Sequence, residues 1–483
     1  MKIIFPIVDL FKGENKSIGI MSISSVLKKR GYKAEVVNAD YREIKKKIKK
    51  NNFTVIGYST PTVFASYYLE LNRRLKKDFP IFSIFGGPHP TFFPEMINEE
   101  DVDAICIGEG EFPFLELIQK LEKKESLENI ENLWIKKNGA IFKNPLRPLI
   151  EDLDKLPLPD HEIYEEAIPF NNWCAFVITG RGCPYECTYC FNHAAKKLYH
   201  QKGEYIRRRS VENVIEELKR IKSNKNYEFI RFFDDIFILS EKWVEEFSAV
   251  YRKKIGLPFS CLVRANLVKP NLIKHLKEAG CHTIFMGIES GNDHIRNVVM
   301  KRKISKEEIV TASKLIRSQG INLVTGNILG VPGGSFENDL ETLRLNIKCR
   351  PAWASVTLLQ PYPKTEIHEL VKKMGMVKDK EIDLNKYSFS RKSALIFPNK
   401  KEKRKVENLQ KFFGLIVEFP TLWPLMKLLI NLPQNIIYEF IFSRWVNFCW
   451  YFRVFPPKIG IRKISKQTKI YRFFYLLLRK NKF

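Results

Sequence analysis

The stretch RGCPYECTYCFN (181–192) carries three cysteines, Cys183, Cys187 and Cys190, spaced C-x3-C-x2-C. Six further cysteines are scattered through the 483 residues, too few for a disulfide scaffold of that length. The tight cluster therefore reads as a set of metal ligands in a reducing compartment. Three thiolates are one short of closing a tetrahedral zinc site, and one short of filling a four-iron cluster. Zinc would take nearby His193 as its fourth ligand. A zinc ribbon pairs two CxxC knuckles, and the sequence has no second knuckle.

Other chemistry-bearing residues follow short apolar runs. Asp234 and Asp235 lie in RFFDDIF (231–237), Arg264 in VRAN (263–266), and Glu289 with Ser290 in GIESG (287–291). GNILGVPGG (326–334) and LLQPYPKTEIHE (358–369) come later. An arginine is a fixed cation suited to a carboxylate. Taken singly, each run reads as a strand and its turn.

The elements that position these residues fall into two series. Over residues 1–124, apolar stretches at 2–9, 33–40, 53–60, 81–88 and 103–110 alternate with amphipathic helical segments. That pattern predicts a parallel, doubly wound α/β sheet, whose ligands bind at the carboxyl ends of strands. Those ends are YSTPT, GGPHP and GEGE, and their small residues let a large flat ligand approach the backbone. Ser59, Thr60, Gly86, Gly87, Gly108, Glu109 and Gly110 are the pocket candidates, with His89 as a pocket or loop residue. Asn138-Gly139 predicts a hairpin over 132–143, and LDKLPLPD (153–160) reads as a linker. A second alternation places strands near 174–179, 228–234, 259–263, 283–288, 322–329 and 354–359, six units of an open, partial barrel with catalytic residues at strand ends. The expected domains are 1–150, 151–375, and a helical region over 376–483.

The cysteine loop, with Tyr189 just before its last cysteine, resembles that of the radical S-adenosylmethionine (SAM) superfamily. The resemblance implies that Cys183, Cys187 and Cys190 hold three irons of a [4Fe–4S] cluster. The fourth iron is then left for the amino and carboxylate groups of SAM, which is cleaved to a 5′-deoxyadenosyl radical. It also implies SAM contacts by Asp234 and Asp235, which stand where many members have a glycine–glycine–glutamate turn, and by Arg264, Glu289 and Ser290. GNILGVPGG would flank the adenine, and lysine replaces a usual glycine in the last barrel strand. A doubly wound domain before such a barrel is similar to the cobalamin-binding domain of the cobalamin-dependent branch, with GGPHPTFFPE (86–95) and CIGEGE (106–111) as the matching stretches. The D-x-H-x-x-G motif that supplies a cobalt ligand is absent, so His89 is not expected to bind cobalt. The dinucleotide fingerprint GxGxxG is also absent after the first strand, which argues against a nicotinamide cofactor there.

The implied function is a cobalamin-dependent radical SAM enzyme that methylates an unactivated carbon. An oxidative cyclase or rearrangement enzyme acting on a tetrapyrrole or lipid-like substrate is the alternative, and a cobalamin or redox sensor is the non-enzymatic one. A flavodoxin or ferredoxin is the expected reductant. The net charge is +27, and residues 400–483 hold 18 Lys/Arg against 4 Asp/Glu. The excess therefore describes the tail more than the core, and nucleic acid is not an expected partner. MKIIFPIVDL reads as a first strand, not a signal peptide, so a cytoplasmic protein is expected. Charged residues and prolines interrupt the apolar run at 412–455. Two readings remain for the tail: a helical cap on the barrel, or peripheral contact with an anionic membrane, anchored by Trp423, Trp445 and Trp450.

Overall fold

The computed structural model describes residues 1–8, 16–48, 53–168, 173–224, 227–377, 392–457 and 459. Two compact units divide the chain, Met1–Gly180 with Tyr199–Tyr227, and Arg181–Leu198 with Glu228–Phe483.

In the first unit the expected apolar runs form β1 (Lys2–Ile7), β2 (Ala34–Asn38), β3 (Thr54–Ser59), β4 (Ile81–Gly86) and β5 (Ala104–Cys106). The hairpin strands β6 (Leu133–Lys137) and β7 (Ala140–Lys143) follow. The sheet order is β2-β1-β3-β4-β5-β6-β7. The first five strands are parallel and the hairpin is antiparallel. Asn138 and Gly139 both have positive φ, 52° and 80°, as a two-residue hairpin turn of this twist requires. Helices Ile18–Lys29 and Glu111–Lys123 bury Ile20, Met21, Leu27, Leu117 and Ile118 against Ile3, Phe5 and Val55. Gly57 on β3 makes room for that packing, since a Cβ there would meet the Phe5 ring at 2.6 Å. Strand order reverses between β1 and β3, the point where such sheets open a crevice. Ser17, the N-cap of the helix after β1, meets Ser59 there, Oγ to Oγ 3.0 Å. The first strand of the second alternation, β8 (Cys174–Val177), belongs to this unit.

The second unit holds β9 (Phe229–Phe232), β10 (Phe259–Val263), β11 (Cys281–Glu289), β12 (Asn322–Leu329) and β13 (Trp353–Leu358). They pair in chain order, all parallel. Helices Glu241–Lys254, Pro270–Ala279, Lys306–Ser318 and Phe336–Cys349 connect them. Ser240 and Ser305 accept from backbone N–H groups at two of their N-termini.

Beyond the barrel lie helices Lys400–Glu418, Trp423–Asn431 and Ile436–Cys449. Val406, Leu409, Phe412, Phe413 and Ile416 pack on Leu329, Val356 and Leu358. The inner face of this region is therefore a cap on the barrel. Trp445 stacks on Phe448 (5.6 Å between centroids), and Trp450 meets Trp353 at 5.8 Å. Trp423 packs against the same core as Phe412. All three tryptophans are half-buried, each with one part of its ring system against protein. Among the described residues no helix is long and apolar enough to cross a membrane.

Candidate cluster and cofactor sites

The cysteine loop lies in the second unit and is tied down by backbone bonds on both sides. Thr188 donates its N–H to Met300 O (3.3 Å) and its hydroxyl to Val299 O (2.8 Å), while accepting from Ile367 N–H (3.0 Å). Cys190 N–H donates to Cys187 O (3.1 Å), which turns both residues in one tight bend. Cys187 is buried and the other two thiols are half-buried. Burial pushes the Cys183 thiol up to about 11 and also raises Cys190, with Asp235 and the neighbouring cysteines adding to both. Such thiols ionise only when a cation compensates them.

The sulfurs have polar company. Asn192 directs its backbone N–H and its Nδ2 at Cys190 Sγ (3.5 and 3.7 Å), and Arg264 Nη1 approaches Cys187 Sγ (3.8 Å). N–H groups aimed at sulfur are a means of tuning an iron–sulfur cluster. Among the described residues, no three His, Cys, Asp or Glu groups converge as a single-ion site requires. Thiolates that each take a different corner of a four-iron cube need not converge on one point. His193, the candidate fourth zinc ligand, lies with Nε2 2.7 Å from Glu366.

The strand ends bring most of the expected residues to this loop. Asp235, after β9, accepts from Asn192 Nδ2 (2.8 Å), and desolvation raises its pKa. Asp234 is buried. Arg264, after β10, stacks on Tyr185 of the loop, 3.6 Å from the ring centroid, and donates to Arg302 O. Glu289 ends β11 with φ +64°, beside a register shift in the pairing with β12. Left-handed backbone at a glutamate is costly and persists where its surroundings fix it. Burial raises the Glu289 pKa, and Arg302 opposes that rise. Ser290 is buried, and its Oγ accepts from Asn292 N–H (3.2 Å).

Arg302 was not among the residues expected from the sequence. Its Nη1 donates to Tyr189 OH (2.6 Å) and lies 3.4 Å from Glu289 Oε1, while Nη2 donates to Gly287 O (2.6 Å). One side chain therefore joins the aromatic of the cysteine loop to the end of β11. Gln360, after β13, is a second residue missed. It is 8% exposed, and neither polar atom of its amide has a protein partner. Arg264 Nε, Asn266 Oδ1 and Arg302 Nε are likewise buried and unpaired. Buried polar atoms left unpaired at strand ends call for a ligand or ordered water.

In the first unit the candidates divide. Ser59, Gly86 and Gly87 stand at the ends of β3 and β4, and Gly87 at φ +91° lies where a Cβ would meet Thr60 N at 3.1 Å. Thr60 is fully buried, with its hydroxyl on Tyr58 O (3.1 Å), so its side chain serves the strand end. His89 stacks on Phe93 (4.8 Å), and burial lowers its pKa to about 4, so the ring is neutral. Its Nδ1 is buried without a partner. Neutral donor or acceptor groups and small residues at this edge fit a large, amide-rimmed ligand such as cobalamin. Gly110 is the N-cap of helix Glu111–Lys123. Gly108 and Glu109 are engaged within the unit. Tyr199 OH accepts from Glu109 N–H (3.0 Å), and a Cβ on Gly108 would lie 1.6 Å from that hydroxyl. The Glu109 carboxylate takes Arg207 (3.0 Å) and Ile150 N–H (3.0 Å).

Comparison with known proteins agrees with this geometry. The family model described as the radical SAM superfamily matches residues 177–345, and that of the B12 binding domain matches residues 6–118. An uncharacterized methyltransferase of Pyrococcus horikoshii is 32% identical over 340 residues, 68% of this chain and 72% of that protein. The anaerobic magnesium-protoporphyrin IX monomethyl ester cyclase of Rubrivivax gelatinosus is 24% identical over 72% of this chain and 63% of its own. Among solved structures, the cobalamin-dependent SAM radical enzyme OxsB superposes with TM-score 0.68 at 17% identity, covering 99% of this chain and 75% of that one. The radical SAM methyltransferase TsrM of Kitasatospora setae gives 0.64 at 15%, covering 79% and 77%. These two likenesses show the fold. The two family matches account for all three expected cofactors, the [4Fe–4S] cluster and SAM by the first and cobalamin by the second.

Proposed function

We propose that this chain, which belongs to the radical SAM superfamily in the branch that carries a B12-binding domain, transfers a methyl group to an unactivated carbon of a small organic substrate. The observation that supports methyl transfer most is the Pyrococcus relative, described as a methyltransferase. When bound, the cluster supplies the electron that cleaves SAM, and cobalamin carries the methyl group.

The chain's own residues take these parts. Cys183, Cys187 and Cys190 hold the cluster, and the N–H groups of Asn192 and Arg264 at their sulfurs set its potential. Asp234, Asp235, Glu289 and Ser290 are assigned to SAM, together with the unpaired atoms of Arg264, Asn266 and Gln360. Tyr189 positions the loop through Arg302. Ser59, Gly86, Gly87 and His89 are assigned to cobalamin, whereas Thr60, Gly108 and Glu109 shape that edge from within the fold. We assign residues 1–150 to the cobalamin domain, 151–375 to the radical SAM barrel and 376–483 to the cap. A flavodoxin or ferredoxin would deliver the electron. We place the enzyme in the cytoplasm, in peripheral contact with the inner face of the membrane through its C-terminal region.

The test is anaerobic turnover of reconstituted protein with SAM bearing a deuterated methyl group, on extracts of a deletion strain. A product heavier by the labelled methyl is expected. SAM consumed with an unlabelled, ring-closed or rearranged product would favour the cyclase reading, and no SAM cleavage would refute the enzyme.

A further inference from the structure

The helix Trp423–Asn431 turns Met426 and Ile430 into the cap. Its opposite stripe carries Leu425 and Leu428, with Leu432 following at the C-cap, 51%, 68% and 50% exposed. The spacing i, i+3, i+7 is that of a helix face meant for burial. A turn at Pro433 leads into helix Ile436–Cys449, whose first turn exposes Ile436 (84%), Ile437 (61%) and Phe440 (61%). Six of the fifteen exposed large hydrophobic side chains among the described residues thus fall within sixteen consecutive positions. The inner face packs on the cap, and among the described residues this outer apolar stripe stays exposed. Scattered single exposures need no explanation, but a contiguous patch does.

Charge identifies what covers it. Between Trp423 and Phe440 the charged residues are Lys427, which is exposed, and Glu439, whose carboxylate pairs with Lys411 Nζ (2.9 Å). From Phe440 to Phe483 the sequence has eleven Lys/Arg and no Asp or Glu. Exposed aliphatic side chains whose one acid is already paired, followed in the sequence by a stretch with basic residues alone, match the interface of an anionic bilayer. We infer that the hairpin Trp423–Phe440 is a membrane-docking element that buries its Leu/Ile/Phe stripe among the acyl chains of anionic lipid. This rests on the peripheral attachment proposed above and names its surface.

The test is flotation of the full-length holoenzyme with vesicles of phosphatidylcholine and phosphatidylglycerol, alongside light scattering to fix its oligomeric state. Two variants are compared, Leu428→Asp/Ile436→Asp, and Lys463→Gln/Lys466→Gln/Lys469→Gln. Both hydrophobic sites are solvent-exposed, so an unchanged melting temperature shows that the fold is kept. The hairpin variant is expected to lose roughly tenfold or more of vesicle binding even at low salt. The lysine variant should weaken binding only modestly, and more so as salt rises. Wild-type-like flotation of the hairpin variant, with loss in the lysine variant, would overturn the hairpin and leave attachment to the basic tail. No flotation of the wild type would overturn both attachment and hairpin. A wild-type dimer that the hairpin variant dissolves, without vesicle binding, would show that a second copy covers the stripe.

Discussion

Asp339 offers a test of how the glycine turn after β12 is held. It lies in the first turns of helix Phe336–Cys349, buried, with both oxygens accepting from Gly330 N–H (3.2 and 3.3 Å). Burial raises its pKa from 3.8 to about 8, with Glu402 adding to the rise and the Gly330 N–H opposing it. The folded value lies above the unfolded one, so the unfolded chain loses this proton first. Stability contributed by protonated Asp339 is therefore full below pH ~4, falls as pH rises, and is gone above pH ~8. At about 1.4 kcal/mol per pKa unit, the roughly three units between the unfolded value and pH 7 would cost up to about 4 kcal/mol there, an upper bound. Relaxation, and the helix N-terminus, which favours a carboxylate, leave ~1–3 kcal/mol. Asp339→Asn keeps an oxygen for the Gly330 N–H and removes the ionisation. It should match the wild type near pH 4 and exceed it by ~1–3 kcal/mol at pH 8, a rise of several degrees in melting temperature. Thermal melts of both proteins across pH 4–8.5 decide the matter. An Asn variant less stable than the wild type at pH 8 would mean that Asp339 is ionised there and that the N–H and helix terminus outweigh its burial.

Other outcomes can be stated for the site. Arg302→Leu leaves Glu289 and Tyr189 without their shared cation and should cost about 3–5 kcal/mol in chemical denaturation, because a buried charge loses its partner. Arg302→Lys should recover part of this, since lysine cannot reproduce the forked contacts. Cys187→Ala should abolish the cluster's visible absorbance and SAM cleavage together, and tight zinc binding without iron in the wild type would refute the cluster assignment. His89→Ala should leave the electron paramagnetic resonance spectrum of bound Co(II) cobalamin without any loss of nitrogen splitting, and a loss would show that the imidazole ligates cobalt.

Much of this arrangement was legible because it depends on order along the chain. The cysteine spacing, the alternation of strands and the small residues at strand ends are local features, and the strands formed where the apolar runs lay. Asn138-Gly139 specified its turn through backbone conformation alone. What escaped depends on contacts between distant residues. Arg302 sits in the run MKRKIS, which reads as a solvated charge patch. Positive φ at Lys301 and Lys303 (52° and 51°) brackets the inward-turned guanidinium, and neither residue is one for which such backbone is expected. Glu109 looked like a pocket residue until Arg207 and Ile150, both far along the chain, claimed its carboxylate.

The contacts around the cysteine loop also bear on how it accepts a cluster. Arg264 touches a sulfur, a loop aromatic and the carbonyl of Arg302, while Arg302 reaches the other loop aromatic and Glu289. The loop is thus cross-linked to the ends of β10 and β11 by two buried cations, independently of the metal. Arg264 places its charge beside the Cys187 sulfur, which would carry negative charge when it holds iron. A loop held only by its metal would be disordered without it, and its ordering would be drawn from the binding energy. Here the fold supplies that ordering in advance, through Arg264 at the end of β10 and Arg302, which reaches back to the end of β11.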